Sequence, residues 1–422
     1  MSIRCRIAVV GAGAAGLTSA YLLQRRHDVV LYEKSDRIGG HVNSVTIPDG
    51  PDAGVAVDTG FIVYNDRNYP LFTRLLEQLG VTSRESDMSF GYYSEASGLQ
   101  YAGTGLNGLF AQRTNLANPA FWRLLAAITL FCRRARAGLA ADAIGRATIA
   151  EFLAACSFSE SLKADYVLPM AGAIWSASRQ DIGAFPAASI LHFFDNHGLL
   201  DMRDRPTWRT ISGGSHTYVR ALLDRFDGQV RHSADIAGIS RGETGATLRF
   251  ADGRRETFDH VVIATHADQA LALIDDPSEE EARLLGAWRY SKSHAVLHTD
   301  ASVMPPNRRA WAAWNYRRTP GSLDEQPVFV SYHMNQLQGL ETRRQYFTTL
   351  NPPAPIATDQ VIAEIDYTHP CYEWPALETQ EGLRALNGPH RTHYCGSYLG
   401  YGFHEDAVRS GVEVANNFGI EL

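Results

Sequence analysis

One stretch constrains this chain more than any other: Ile7-Ala8-Val9-Val10-Gly11-Ala12-Gly13-Ala14-Ala15-Gly16. The four apolar residues read as a buried parallel strand. A glycine turn follows at once. Leu17 to Gln24 then carry a helical pattern, with Leu17, Ala20, Tyr21 and Leu23 suited to face a sheet. Val29-Val30-Leu31-Tyr32 is a second strand, and Glu33 and Lys34 stand at its tip. The chemistry explains the residue types. Gly11 allows the tight turn, Gly13 leaves room for a diphosphate to approach the backbone, and Gly16 lets the helix pack close to the strand. The amino end of the helix aims unpaired N–H groups and partial positive charge at phosphates. Glu33 lies 20 residues after Gly13, placed to accept hydrogen bonds from ribose hydroxyls. The combination predicts a dinucleotide-binding unit of α/β type.

The rest of the composition narrows the class. A chain of 422 residues is long enough for two or three domains. Its net charge of -7 argues against a nucleic-acid partner, which needs a basic footprint. The five cysteines are odd in number and form no C-x-x-C pair, which argues against a disulfide scaffold or a cysteine-based metal site. No HExxH helix or other metal-ligand pattern stands in the sequence, so no metal is expected. A strand-like segment starts at Ile7 without a leader-like run, and no 18 consecutive residues are apolar. These features point to a cytoplasmic protein.

Arg37-Ile38-Gly39-Gly40-His41 follows the acid, a second glycine pair suited to a loop wrapping back over the diphosphate. Val57-Asp58-Thr59-Gly60-Phe61 comes next, and Gly213-Gly214-Ser215 opens a later helix. Thr247–Phe250 and Glu256–Phe258 flank Ala251-Asp252-Gly253 and predict a hairpin. Val261-Val262-Ile263-Ala264-Thr265 reads as a further buried strand. Thr392–Ser397 is a strand ending in glycine, and a helix from Ala407 to Phe418 closes the chain.

In this order the elements resemble the flavin-containing amine oxidase superfamily, which also holds the phytoene desaturases. Its members carry GxGxxG, a Glu and an R-x-G-G-R element; His41 stands where that element ends in Arg. The resemblance implies FAD, held by Gly11, Gly13, Ala14, Ala15, Gly16, Glu33, Lys34, Arg37, Gly39, Gly40, His41, Thr59 and Gly60. It adds the adenine side near Val230 and Ile236, and Thr265. At the end of the chain it adds Gly396, Ser397, Gly402, His404, Asp406 and Ala407. Ser397 occupies a position that is usually acidic in the superfamily.

The implied fold is a discontinuous Rossmann-like FAD-binding domain, residues 1–85, 205–288 and 385–422. A mixed helical and antiparallel-sheet substrate domain comprises 86–204 and 289–384. Ser86-Asp87-Met88-Ser89-Phe90, Ile174-Trp175-Ser176, Trp311-Ala312-Ala313-Trp314-Asn315, Thr349-Leu350-Asn351-Pro352 and Gly400-Tyr401-Gly402-Phe403-His404-Glu405-Asp406 are similar to one branch. That branch is the flavoprotein that accompanies cyclopropane-fatty-acyl synthases in bacteria and is fused to them in plants. The resemblance runs from Ile7 to about Phe418. It implies a fatty acyl substrate and a synthase-like methyltransferase partner.

The expected chemistry is oxidation, desaturation or isomerisation of the acyl chain with hydride passing to flavin. His404 or Glu405 is the candidate for moving a proton, and Asp406 for capping the last helix. Lys292 lies in the region where amine oxidases place a lysine near the flavin. Trp175, Trp314, Asn315 and Tyr332 are candidates for the substrate pocket. Phe121–Cys132 is apolar save for Arg123, and Arg133-Arg134-Ala135-Arg136 follows. That pattern suits either a packed helix with a solvated basic end or peripheral contact with the inner face of a membrane. Two rival readings are an amine or amino-acid oxidase and a non-catalytic flavin-binding partner of a lipid methyltransferase.

Overall fold

The computed structural model describes residues 4–201, 205–320 and 326–422. Twelve strands carry the argument: β1 (Arg6–Val10), β2 (Asp28–Tyr32), β3 (Phe90–Ser94), β4 (Gln100–Ala102), β5 (Gln229–Arg231), β6 (His260–Ile263), β7 (Tyr290–His298), β8 (Trp314–Arg318), β9 (Val330–His333), β10 (Phe347–Leu350), β11 (Val361–Pro370) and β12 (Thr392–Tyr394). Seven helices accompany them: α1 (Ala14–Leu23), α2 (Pro70–Leu79), α3 (Pro119–Ala140), α4 (Leu168–Trp175), α5 (Ala187–Asn196), α6 (His216–Leu223) and α7 (His404–Asn417).

β5, β2, β1, β6 and β12 form a five-stranded parallel sheet in that order. Its central strands are apolar because both faces are covered. Ile7, Ala8 and Val9 on β1, and Val261, Val262 and Ile263 on β6, are fully buried. The turn after β1 is as tight as its glycines require. Gly11 has φ +103°, and a side-chain carbon there would come within 2.7 Å of the Ala264 carbonyl oxygen. At Gly16 one would lie 1.9 Å from the Gly11 carbonyl oxygen, so α1 closes against the end of its own strand.

The second large sheet is mixed, with order β11-β7-β10-β9-β8-β3-β4. β8 and β3 run parallel, and the other neighbours are antiparallel. Two strands, β3 and β4, come after residue 88 before the helices of this part begin. The expected hairpin is present within a three-stranded antiparallel sheet, with Ala246–Phe250 paired to Arg255–Phe258. The segment after Gln229 forms two strands, β5 and Ile236–Arg241, because they join different sheets.

Asp58 ties these parts together. It is fully buried. Its carboxylate accepts from the backbone N–H (2.9 Å) and hydroxyl (2.8 Å) of Ser215, from Ser44, and from the Gln338 amide (3.0 Å). Burial pushes its carboxyl up to about 6 even with these donors around it. We expect Asp58→Ala to strand several buried donors at once and to cost about 3 kcal/mol of stability, read from urea unfolding. Asp58→Asn should cost clearly less.

Candidate active site

A cavity of about 760 Å³ runs from the glycine turn into the body of the second sheet. Its nucleotide end is lined by Gly11, Gly13, Ala14, Ala15, Glu33, Lys34, Gly39, Gly40, His41, Gly60, Ile236 and Thr265. From the far end of the chain, Gly396, Ser397, Gly402, His404 and Ala407 close the same wall. α1 has no side-chain cap and no acid in its first turn, so its amino end stays available to an anion. A side-chain carbon on Gly13 would meet no atom within 4 Å, so space is open in front of this backbone. These features fit a dinucleotide: an uncapped helix end for the diphosphate, open space before Gly13, and a carboxylate at the strand tip.

Five expected cofactor residues stand off this wall. Gly16 is a packing glycine. Arg37 folds back on its own loop, donating to the carbonyls of Val42 (2.9 Å) and Gly40 (2.8 Å), and so shapes the glycine pair. Thr59 is buried, bonded to the Asn43 carbonyl and the Tyr367 hydroxyl. Val230 is held in β5, and the wall on that side is made by Ala234, Ile236 and Ala237. Asp406 accepts from the N–H groups of Tyr401 and Phe403 and caps α7, as an acid in a first turn does.

The two expected proton carriers meet different surroundings. Glu405 lies outside the cavity wall, with one oxygen bonded to the Leu71 N–H (3.1 Å) and the other to the Phe72 N–H (2.9 Å). It caps α2. His404 does reach the wall, but its ring stacks on Phe61 (3.7 Å between centroids) and its Nε2 pairs with the Tyr218 hydroxyl at 2.8 Å. Burial pushes it down to about 3, so it is a neutral ring at neutral pH and no ready proton carrier. Lys292 is exposed and absent from the wall. Of the four pocket candidates, Trp314 and Tyr332 face the cavity, packed edge to face at 4.8 Å. Trp175 stands behind the wall against Phe193 and Phe403. Asn315 spends its amide on the Ala312 backbone.

Three histidines on the wall were not singled out in the sequence: His197, His266 and His369. His369 packs edge-on against His41, and His266 stacks on Tyr290. Burial holds all three below the ordinary value, His197 and His369 at about 4. His41 is likewise held well below it, by burial first and then by His369. It brings a neutral ring, stacked on Tyr367, where the related motif brings a cation. Burial also raises the phenols of Tyr69, Tyr290, Tyr332 and Tyr398. Among the described wall residues only Glu33 and Lys34 belong to the ordinarily charged types, and both sit at the nucleotide end. Beyond it the wall includes Met88, Phe90, Met170, Ile174, Leu199, Trp208 and Trp314, with Tyr69, Ser176 and Tyr332 among its polar groups and His197 held low. Periodicity marks such residues only as buried, which is why a sequence does not separate this lining from ordinary core.

The depressed histidine has a measurable consequence. His404 binds a proton far more readily unfolded, near 6.5, than folded, near 3, so its contribution to stability is lost as pH falls through that window. Between about pH 6 and about pH 4 the native protein should lose about 1.4 kcal/mol per pH unit more steeply than a His404→Phe variant. Urea unfolding of both proteins across that range checks it.

The profile of the flavin containing amine oxidoreductase family matches residues 14–340. A Mycobacterium tuberculosis protein named as a flavin-containing monoamine oxidase, AofH, is 26% identical, covering 94% of this chain and 87% of its own. The L-amino-acid oxidase of Siganus canaliculatus is 23% identical over 70% of this chain and 57% of its own. Among solved structures, a CLA-producing fatty acid isomerase from P. acnes superposes with a TM-score of 0.69 at 17% identity, covering 100% of both chains. Putrescine oxidase bound to putrescine gives a TM-score of 0.69 at 15% identity, covering 99% of both. The chain belongs to the flavin-containing amine oxidoreductase family and is a flavin-dependent oxidoreductase.

Proposed function

We propose that this oxidoreductase acts on the hydrocarbon part of a fatty acyl chain, by oxidation, desaturation or isomerisation. The observation that carries the reading is the uncharged, aromatic and methionine-rich end of the cavity. An amine substrate arrives as a cation and gains from a carboxylate or a hydrogen-bonding cage. Here the described wall beyond the nucleotide end offers no carboxylate, and Lys292, the candidate for the lysine of amine oxidases, stands outside it. An aliphatic chain asks only for apolar contact and the exclusion of water. The likeness to a fatty acid isomerase of the same fold is in keeping with this.

The glycine turn and the uncapped end of α1 would hold the cofactor diphosphate, and Glu33 the ribose. Bound flavin supplies hydride acceptance and return, chemistry that no side chain can perform. The chain's own part is to align one C–H bond against the cofactor and keep the site dry. Desaturation also requires a base for a proton. Burial holds His197, His369 and His404 well below the ordinary histidine value and raises the Tyr332 phenol, which makes each of them a poor base or acid at neutral pH. Isomerisation of a double bond, in which hydride leaves one carbon and returns to another, makes no such demand. This wall therefore favours isomerisation within the three.

Gly13→Val tests the cofactor site. Gly13 has φ -78° and open space beside it, so the variant should fold with unchanged circular dichroism and lose its flavin. A yellow Gly13→Val protein would overturn the site. The substrate is tested by incubating flavin-loaded protein without oxygen with unsaturated, methyl-branched and cyclopropane lipids beside a panel of amines. We expect shifted or new double bonds by mass spectrometry for a lipid and no flavin bleaching by amines. Bleaching by amines alone would make the protein an amine oxidase.

A further inference from the structure

Five large hydrophobic side chains are exposed among the described residues, and four of them, Leu106, Leu116, Trp122 and Leu130, lie between residues 106 and 130. They form one face. The Trp122 indole N–H donates to the Leu116 carbonyl at 2.9 Å, and its ring leans on Phe110, at the end of the short helical turn that begins with Leu106. Leu130 follows two turns further along α3, about 12 Å away. The opposite side of α3 is buried through Phe121, Leu124, Phe131 and Ala135, so packing against the core accounts for one face only.

Charge on this surface is one-sided. From Ala96 to Ala141 there is no Asp or Glu, although the chain holds 46 of them and a net charge of -7. The same stretch holds five arginines: Arg113, Arg123, Arg133, Arg134 and Arg136. Only Arg136 pairs with a carboxylate among the described residues, Asp201 at 2.6 Å. Arg123 and Arg133 are exposed beside Trp122 and Leu130. Exposed Trp and Leu among arginines, with no acid in the same stretch of chain, match the interfacial region of an anionic bilayer. No described helix is long and apolar enough to cross a membrane, so contact of this kind is lateral.

We infer that the outer face of α3, with the segment before it, docks the protein on an anionic phospholipid surface. The position of the face suits this. Arg136 near the end of α3 is tied to Asp201, two residues beyond Leu199, which lines the apolar end of the cavity. α3 also packs on α5, whose Phe193 lines that end. This inference concerns a surface and holds whatever the flavin oxidises.

Sedimentation tests it. Flavin-loaded full-length protein is spun with vesicles of phosphatidylcholine and with vesicles of equal parts phosphatidylcholine and phosphatidylglycerol. Binding to the mixed vesicles is expected to be at least about tenfold tighter and to weaken with salt. Leu130→Ser, which breaks no hydrogen bond, and Arg123→Gln/Arg133→Gln should each weaken it several-fold with flavin content and melting temperature unchanged. Wild-type protein left in the supernatant, equal binding to both vesicles, or variants that sediment like the parent would overturn the proposal. So would a concentration-dependent dimer that Leu130→Ser abolishes, because the face would then join two copies of this chain. Turnover of a detergent-dispersed lipid is measured separately, so failure of docking and failure of the acyl-chain reading are told apart.

Discussion

Close backbone contact at the head of the parallel sheet is the constraint on which the rest depends. Gly11 rests against Ala264, and α1 rests against Gly11, with separations that admit no side chain. This brings the unpaired N–H groups of α1 to the cavity, where an anion satisfies them. Everything else in the site is arranged around that point. Glu33 accepts from the Ala12 N–H at 2.9 Å, and the Gly39 N–H donates to the Ala12 carbonyl at 2.9 Å. Turn, acid and glycine loop are thus one hydrogen-bonded unit.

The nucleotide end was legible in the sequence because its function needs particular residues at fixed spacing. The order of strand, glycine turn, helix, strand and acid appears in the structure as read, and so does the hairpin around Asp252-Gly253. The substrate end was much less legible. Trp314 and Tyr332 face the cavity while Trp175 and Asn315 do not, and nothing local separates the two pairs. The difference is made by β8, β9 and α4, which are brought together from distant parts of the chain. His404 and Glu405 show the same limit. Adjacent on one turn, they point to different partners, a tyrosine on α6 and the amino end of α2. Which partner each meets is a property of the packing of three helices.

The histidines of the wall give the site a definite electrical character. A ring held below its ordinary value is a polar surface without net charge, able to accept or donate a hydrogen bond while staying compatible with hydrocarbon. His41 brings this character to the glycine loop, where the related motif carries an arginine. With the apolar side chains of the second sheet, it makes most of the wall neutral.

The order of strands in the parallel sheet also bears on how the protein is made. β1 and β12 lie two places apart in one sheet, yet they are far apart in the sequence. Ser397, His404 and Ala407 complete a wall begun by Gly11 and Glu33. During synthesis the segment through Ala407 must have emerged before that wall exists. Contacts of such sequence separation form slowly. Until they form, the nascent chain presents the unsealed edge of β6 and the uncovered face of α1. A complete flavin site is then a late product of folding, formed only once β12 has paired with β6.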